Sequence, residues 1–234
     1  MTASTTGELT AALLGLAELP DDSAALPGRL TTIVRLCPSL VGPVDFASVT
    51  VFAEDGRRTQ AASGETAEAV DRAQYADDAG PCLAALETGS TVGVPDVAGA
   101  VVWPGFRDVA WSHGVRASLS IPLFAGSGNL VGALNLYARD ADAMRPLIHR
   151  VESLYGEADE SPAPLPRLDA GSEQLLAGLA GALHRRDLIQ RALGLLMDRE
   201  QIPADRAYRR LVEANVPDTP LTETAAAVLR HHHA

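Results

Sequence analysis

Lysine is absent from this chain of 234 residues; all 19 of its basic side chains are arginine. Any phosphate it meets must therefore be held by guanidinium, histidine or backbone amide groups. Cysteine is scarce. The two present, Cys37 and Cys82, stand at no metal-ligand spacing, and such a pair points to reduced thiols in a cytosol rather than a disulfide framework. Aromatic residues make up 4% of the chain, so any local concentration of them carries information. No apolar run approaches the roughly 18 residues that a membrane span requires. The N-terminus, MTASTTGELTAALLGLAEL, lacks a basic n-region and carries Glu8 and Glu18. It reads as a soluble amphipathic helix rather than a signal peptide, which predicts a cytoplasmic protein with no membrane partner. Metal clusters, nucleophile triads and phosphate-binding loops are missing too, so no metal, cofactor or catalytic residue is expected and the chain reads as a non-enzyme.

What charge there is lies unevenly. Residues 1–172 hold 22 acids against 11 arginines, whereas residues 173–234 hold 8 of each. A strongly acidic protein is a poor general binder of polyanions, so any nucleic-acid contact is local and belongs to the C-terminal part.

The clearest break in the pattern is GEADESPAPLPRLDAG, residues 156–171, where alternating prolines beside an acidic cluster favour extended chain. This gives four segments: an N-terminal helical segment (1–24), a mixed domain (25–156), a Pro-rich linker (157–172) and a C-terminal domain (173–234). Before the linker, residues 6–19, 27–41, 65–73, 80–88, 103–113 and 140–156 have helical spacing. VDFASVTVFA (44–53), a short stretch near 58–63, VGVPDV (92–97), RASLSIPLF (116–124) and NLVGALNLYA (129–138) read as strands, with hairpin turns at EDGRR and AGSG. Pro95 confines the third strand to an edge. The predicted class is α+β, an antiparallel sheet with helices packed on one face, followed by an all-α domain of three helices.

The pieces DDAGPCLAALETG, VPDVAGAVVWPGF, GVRASLSIPL and GALNLY, in that order, resemble a GAF domain over about residues 25–156. Several GAF domains hold a small molecule between sheet and helices. The resemblance implies an unidentified small-molecule site here, lined by Cys82, Trp103, Phe106, Trp111 and His113. Other readings of these residues stand beside it. Clustered aromatics also simply fill cores, and His113 beside Gly114 also reads as a helix C-cap. Cys82, after Gly80 and Pro81 at a helix start, reads either as a thiol with a lowered pKa or as a small buried residue. Leu83 stands where bilin-binding GAF domains commonly carry histidine. Cys37 and Cys82 do not reproduce the cysteine arrangement of GAF-type methionine sulfoxide reductases.

In the C-terminal domain, Leu175, Leu179, Ala182, Ile189, Leu193 and Leu196 form an apolar stripe on a helix of seven or eight turns. Two short helices follow, with Pro203 and Pro220 in their first turns. The second buries Ala207, Tyr208 and Leu211, and the third Leu221, Ala225 and Val228. HRRDLIQRALGLLMDR (184–199) and these helices resemble the ANTAR domain, an RNA-binding module of bacterial antitermination regulators. The matching positions are Arg186, Ile189, Ala192, Gly194, Leu196, Met197, Ala207, Leu211, Leu221 and Ala225. Ala192 and Gly194 are expected where the shorter helices approach closely. Leu193 and Val212 depart from the pattern, standing where the family carries basic residues.

The resemblance implies a GAF-controlled regulator that binds hairpin loops of nascent mRNA, as a homodimer, through Arg185, Arg186, Arg191, Arg199, Arg206, Arg209 and Arg210. Guanidiniums bind phosphate bidentately and stack on unpaired bases. The alternative is a tail that has lost RNA affinity through Leu193 and Val212 and serves as a dimerisation or docking module. His231–His233 are given no role.

Overall fold

The computed structural model describes residues 7–21, 23–54, 56–156, 166–216 and 219–230. The helices α1 (Glu8–Leu16) and α2 (Leu26–Leu40) lead into the hairpin β1 (Phe46–Ala53) and β2 (Gly56–Ala62). Then come α3 (Glu65–Asp77), α4 (Pro81–Thr88), β3 (Val92–Val94) and α5 (Pro104–Ser112). A second hairpin, β4 (Ala117–Phe124) and β5 (Leu130–Ala138), precedes α6 (Ala141–Leu154). The C-terminal helices are α7 (Ala170–Glu200), α8 (Ala204–Glu213) and α9 (Leu221–Arg230).

The five strands form one antiparallel sheet in the order β2-β1-β5-β4-β3. Strand β3 stops before Pro95 and lies at the edge. Alternation along the strands builds two different faces. Ala47, Val49 and Val51 of β1, Leu119 and Ile121 of β4, and Leu134 and Leu136 of β5 join one apolar core with α1, α2, α6 and the first half of α7. The opposite face carries Ser48, Thr50, Ser120, Asn135 and Tyr137, and it too is buried, under α3, α4 and α5. The expected single helical layer is thus corrected: helices cover both faces. Strand β4 is buried at seven consecutive positions, which a one-sided sheet would not produce.

The 31-residue α7 belongs to two cores. Leu175 and Leu179 pack into the sheet-and-helix core with α1 and α2. Gly171 and Gly178 allow this, because a side chain at either would run into the α2 backbone at Leu40 or into Leu13 of α1. Further along, Ile189, Ala192 and Leu193 join Ala207, Leu211, Leu221 and Ala225 in a separate three-helix core. The helix begins at Ala170, inside the stretch expected as linker, because Asp169 caps it by accepting from Gly171 N and Ser172 N at 2.9 and 3.0 Å. Residues 157–165 of that linker lie outside the described residues, as do His231–His233. Pro203 is the N-cap residue of α8 rather than part of its first turn. Gly194 is also corrected: it is exposed with open space around its Cα, whereas Ala192 is the small residue buried at the helix contact.

Candidate functional site

Behind the sheet's polar face, α3 delivers Asp71, Gln74 and Tyr75 from one helical face, at spacings of three and four residues. Asp71 is completely buried. Its carboxylate accepts from Tyr137 OH (2.6 Å), Thr59 Oγ1 (2.8 Å) and Ser48 Oγ (3.0 Å). Burial pushes the Asp71 carboxyl above the usual carboxylate range, Glu68 adds to this, and the three hydroxyl donors oppose it. Asn135, opposite Ser48 on β1 and Ser120 on β4, extends the network. It accepts from Ser120 Oγ at 2.9 Å and donates to Thr50 Oγ1 at 3.1 Å. The Cys82 thiol donates to the same Thr50 hydroxyl at 3.1 Å, and the Cys82 backbone N–H donates to Gln74 Oε1 at 2.9 Å.

Sequence reasoning missed this network. Its signal was the Ser/Thr/Asn alternation in β1 and β5, a pattern shared with a solvent-facing sheet.

The five residues expected to line a ligand site are not drawn together. Cys82 packs with Leu83, Leu86 and Ala133, while Phe106 lies in another cluster with Val70, Ala110 and Tyr137, and Trp103 packs against its edge. Trp111 is half exposed and stacked under Arg116, whose guanidinium carbon is 3.8 Å from the ring centroid. His113 is the exposed C-cap residue of α5. Of the two readings of Cys82, the structure has the small buried residue: burial first, and Asp71 second, push its thiol up to about 12.

The seven arginines divide into two groups. Arg191, Arg199, Arg206, Arg209 and Arg210 are exposed on the outer half of α7 and on α8. Arg206, Arg209 and Arg210 rim a surface groove of about 520 Å³ with Glu200, Ile202 and Glu213. Exposed pairs link Arg209 to Asp205 (2.8 Å), Arg191 to Asp187 (3.8 Å) and Arg210 to Glu200 (3.8 Å), geometries worth little against solvent and easily exchanged for phosphate. Arg199 and Arg206 have no ion-pair partner among the described residues. Arg185 and Arg186 are held within the chain instead. The Arg186 guanidinium stacks over Phe124, and its partial burial lowers its pKa.

Residues 24–151 match the family model of the GAF domain, over half of the chain, and residues 177–229 match that of the ANTAR domain. The chain belongs to the GAF family and carries an ANTAR domain. No curated protein matches it. Among solved structures it is similar to a reduced-form fRMsr from Staphylococcus aureus, at 14% identity and TM-score 0.44, covering 80% of this chain and 99% of that one. It is also similar to a domain assigned to a two-component sensor histidine kinase from Sinorhizobium meliloti 1021, at 18% identity and TM-score 0.42, covering 77% and 100%. A third is NreA from Staphylococcus aureus mutated in its nitrate-binding site, at 16% identity and TM-score 0.38, covering 49% and 86%. The two domains together are the architecture of an antitermination regulator with a GAF sensor part. None of the described helices is long and apolar enough to cross a membrane.

Contacts between the GAF and ANTAR domains converge on the segment after α1. Glu18 accepts from Arg185 Nη1 of α7 at 2.7 Å, from Thr222 Oγ1 of α9 at 2.8 Å and from Thr222 N at 3.3 Å. Arg185 Nη1 also donates to Leu14 O at 3.3 Å. Asp21 accepts from Ser127 Oγ and Asn129 Nδ2 in the β4–β5 turn, both at 2.6 Å, and Gln190 of α7 donates to Ser127 O. Beside these contacts a cleft of about 890 Å³ opens between the turn and the ANTAR helices, with Arg186, Leu193, Met197, Tyr208, Arg209 and Val212 in its lining. Val212 stands on the wall of this cleft, whereas Leu193 borders it from the three-helix core, where it is 4% exposed.

Proposed function

We propose that this GAF–ANTAR protein is a cytoplasmic regulator, not an enzyme, that binds hairpin loops in nascent mRNA and prevents terminator formation, with the GAF domain controlling access. The observation that carries the reading is the row of exposed guanidiniums along α7 and α8: Arg191, Arg199, Arg206, Arg209 and Arg210. Such a row meets phosphates and stacks on splayed loop bases without needing a basic protein as a whole. A dimer would present two such rows to paired hairpins, and an unidentified small molecule at the GAF domain would shift the exposed state. The buried network around Asp71 supplies polar groups against which such a molecule could be exchanged.

The second reading, a docking module without RNA affinity, is favoured by one observation. Leu193 is buried in the three-helix core and Val212 packs against it, so neither position offers charge to RNA. An electrophoretic shift with a two-hairpin leader RNA decides between them. Binding at low salt that weakens steeply as salt rises, and that is lost in the Arg206→Ala/Arg210→Ala double variant, supports the first. No shift at about 20 mM salt, with monomer and dimer fractions both tested, sinks it.

A further inference from the structure

Glu18 stands directly after the C-cap of α1 and against the first turn of α9. A carboxylate just past a helix C-terminus is disfavoured by the helix dipole, and one at a helix N-terminus is favoured. Glu18 occupies both positions at once. The unfavourable end is relieved by Arg185, which neutralises Glu18 and also satisfies the Leu14 carbonyl of the same last turn. The favourable end is the Thr222 amide and hydroxyl. The Glu18 side chain is only 14% exposed and that of Arg185 29%, so the pair is shielded as the arginine pairs on α8 are not. Removing one partner of such a pair leaves the other charge poorly solvated, so the contact is costly to lose.

We infer that Glu18 is a latch: one carboxylate on the N-terminal segment, whose helix α1 packs into the core of the GAF sheet, ties α7 and α9 of the ANTAR domain to that segment and withholds Arg185 from RNA. The inference rests on the RNA-binding reading for what the latch withholds. Around it, Arg186 is stacked on Phe124 and Gln190 is bound to the β4–β5 turn, so the inner end of the arginine row is engaged at three neighbouring points of α7. Opening the latch extends the row from five guanidiniums toward seven. The first half of α7 stays where the α1 and α2 packing holds it, so the movement is confined to the part beyond about residue 183.

The test uses the full chain with Glu18→Ala, Thr222→Val as a milder opening, and Glu8→Ala as a control with the same charge change at an exposed position of α1. Hydrogen exchange is measured on peptides covering 183–193 and 219–230, with strands 46–53 and 117–124 as internal reference. RNA affinity is measured by gel shift with the two-hairpin leader. The expected result is faster exchange in the two ANTAR peptides, unchanged strands, and RNA binding about tenfold tighter for Glu18→Ala, less for Thr222→Val and absent for Glu8→Ala. Unchanged exchange in both Glu18→Ala and Thr222→Val overturns the latch, as does an RNA shift by Glu18→Ala that is present but no tighter than that of the unsubstituted chain. Faster exchange with no RNA shift by any form, including the unsubstituted chain, supports the latch and overturns the RNA reading instead. If Glu18→Ala does not fold by circular dichroism, Thr222→Val carries the same comparisons.

Discussion

The guanidinium carbon of Arg186 lies 3.7 Å from the ring centroid of Phe124, so an ANTAR arginine is stacked on the last residue of a GAF strand. Arg186 is one of the positions that match the family pattern, and in this chain its flat face is already occupied. A guanidinium stacked on a side-chain ring has that face unavailable for a nucleobase.

Phe124→Leu keeps an apolar neighbour and removes the π face. The expected cost is about 0.5–1 kcal/mol of stability, with Arg186 becoming more reactive toward phenylglyoxal by mass spectrometry. Unchanged reactivity at Arg186 would show that the ring is not what shields it.

Asp71 sets a pH dependence. Its carboxyl binds its proton more tightly in the folded than in the unfolded chain, so its contribution to stability is fullest below the ordinary value of 3.8 and is lost as pH rises through the raised folded value. Asp71→Asn mimics the protonated form. The difference in denaturation midpoint between the Asp71→Asn variant and the unsubstituted chain should grow in favour of the amide as pH rises from about 4 to about 7. Asp71→Ala, which leaves three hydroxyl donors without their acceptor, should cost about 2–4 kcal/mol near pH 4 and less as the pH rises, because only the unsubstituted chain carries the titrating carboxyl. An advantage of Asp71→Asn that shrinks with pH would reverse the assignment of burial as the dominant influence.

Positions 193 and 212, which look alike in sequence as missing basic residues, should behave differently. Leu193 is 4% exposed in the three-helix core, so Leu193→Arg buries a charge and should cost about 3 kcal/mol or more, with loss of helicity in α7 to α9. Val212 lies on the cleft wall, where Val212→Arg can extend its head group into solvent. That variant should fold normally and bind leader RNA about fivefold tighter at low salt. Equal stability for the two variants would contradict the placement of Leu193.

Much of this arrangement was legible in the sequence because it rests on local periodicity. The β4–β5 hairpin, the apolar stripe of α7, and the burial of Ala207, Leu211, Leu221 and Ala225 all follow from spacings of two, three and four. What was not legible is long-range. Thr10 Oγ1 donates to Gln174 O at 2.8 Å across 164 positions of the chain, and no local pattern announces that contact. The polar sheet face misled for a different reason. Ser48, Thr50 and Asn135 alternate with apolar residues as a solvated face would, and only Asp71, Gln74 and Tyr75 brought over from α3 offset the cost of burying them. The arginine row was visible as composition. Its division into exposed and engaged members depends on Glu18 and Phe124, which are far away in sequence.

Helix α7 is a lever. Its 31 residues span about 46 Å, with no proline between Ala170 and Glu200, and its near end is clamped between α1 and α2. A tilt of about 10° near residue 183 would carry the Glu200 end through roughly 4–5 Å, close to the pitch of one helical turn. A sub-ångström adjustment in the sheet-and-helix core would thereby be magnified at the far end of the arginine row, without any moving part between.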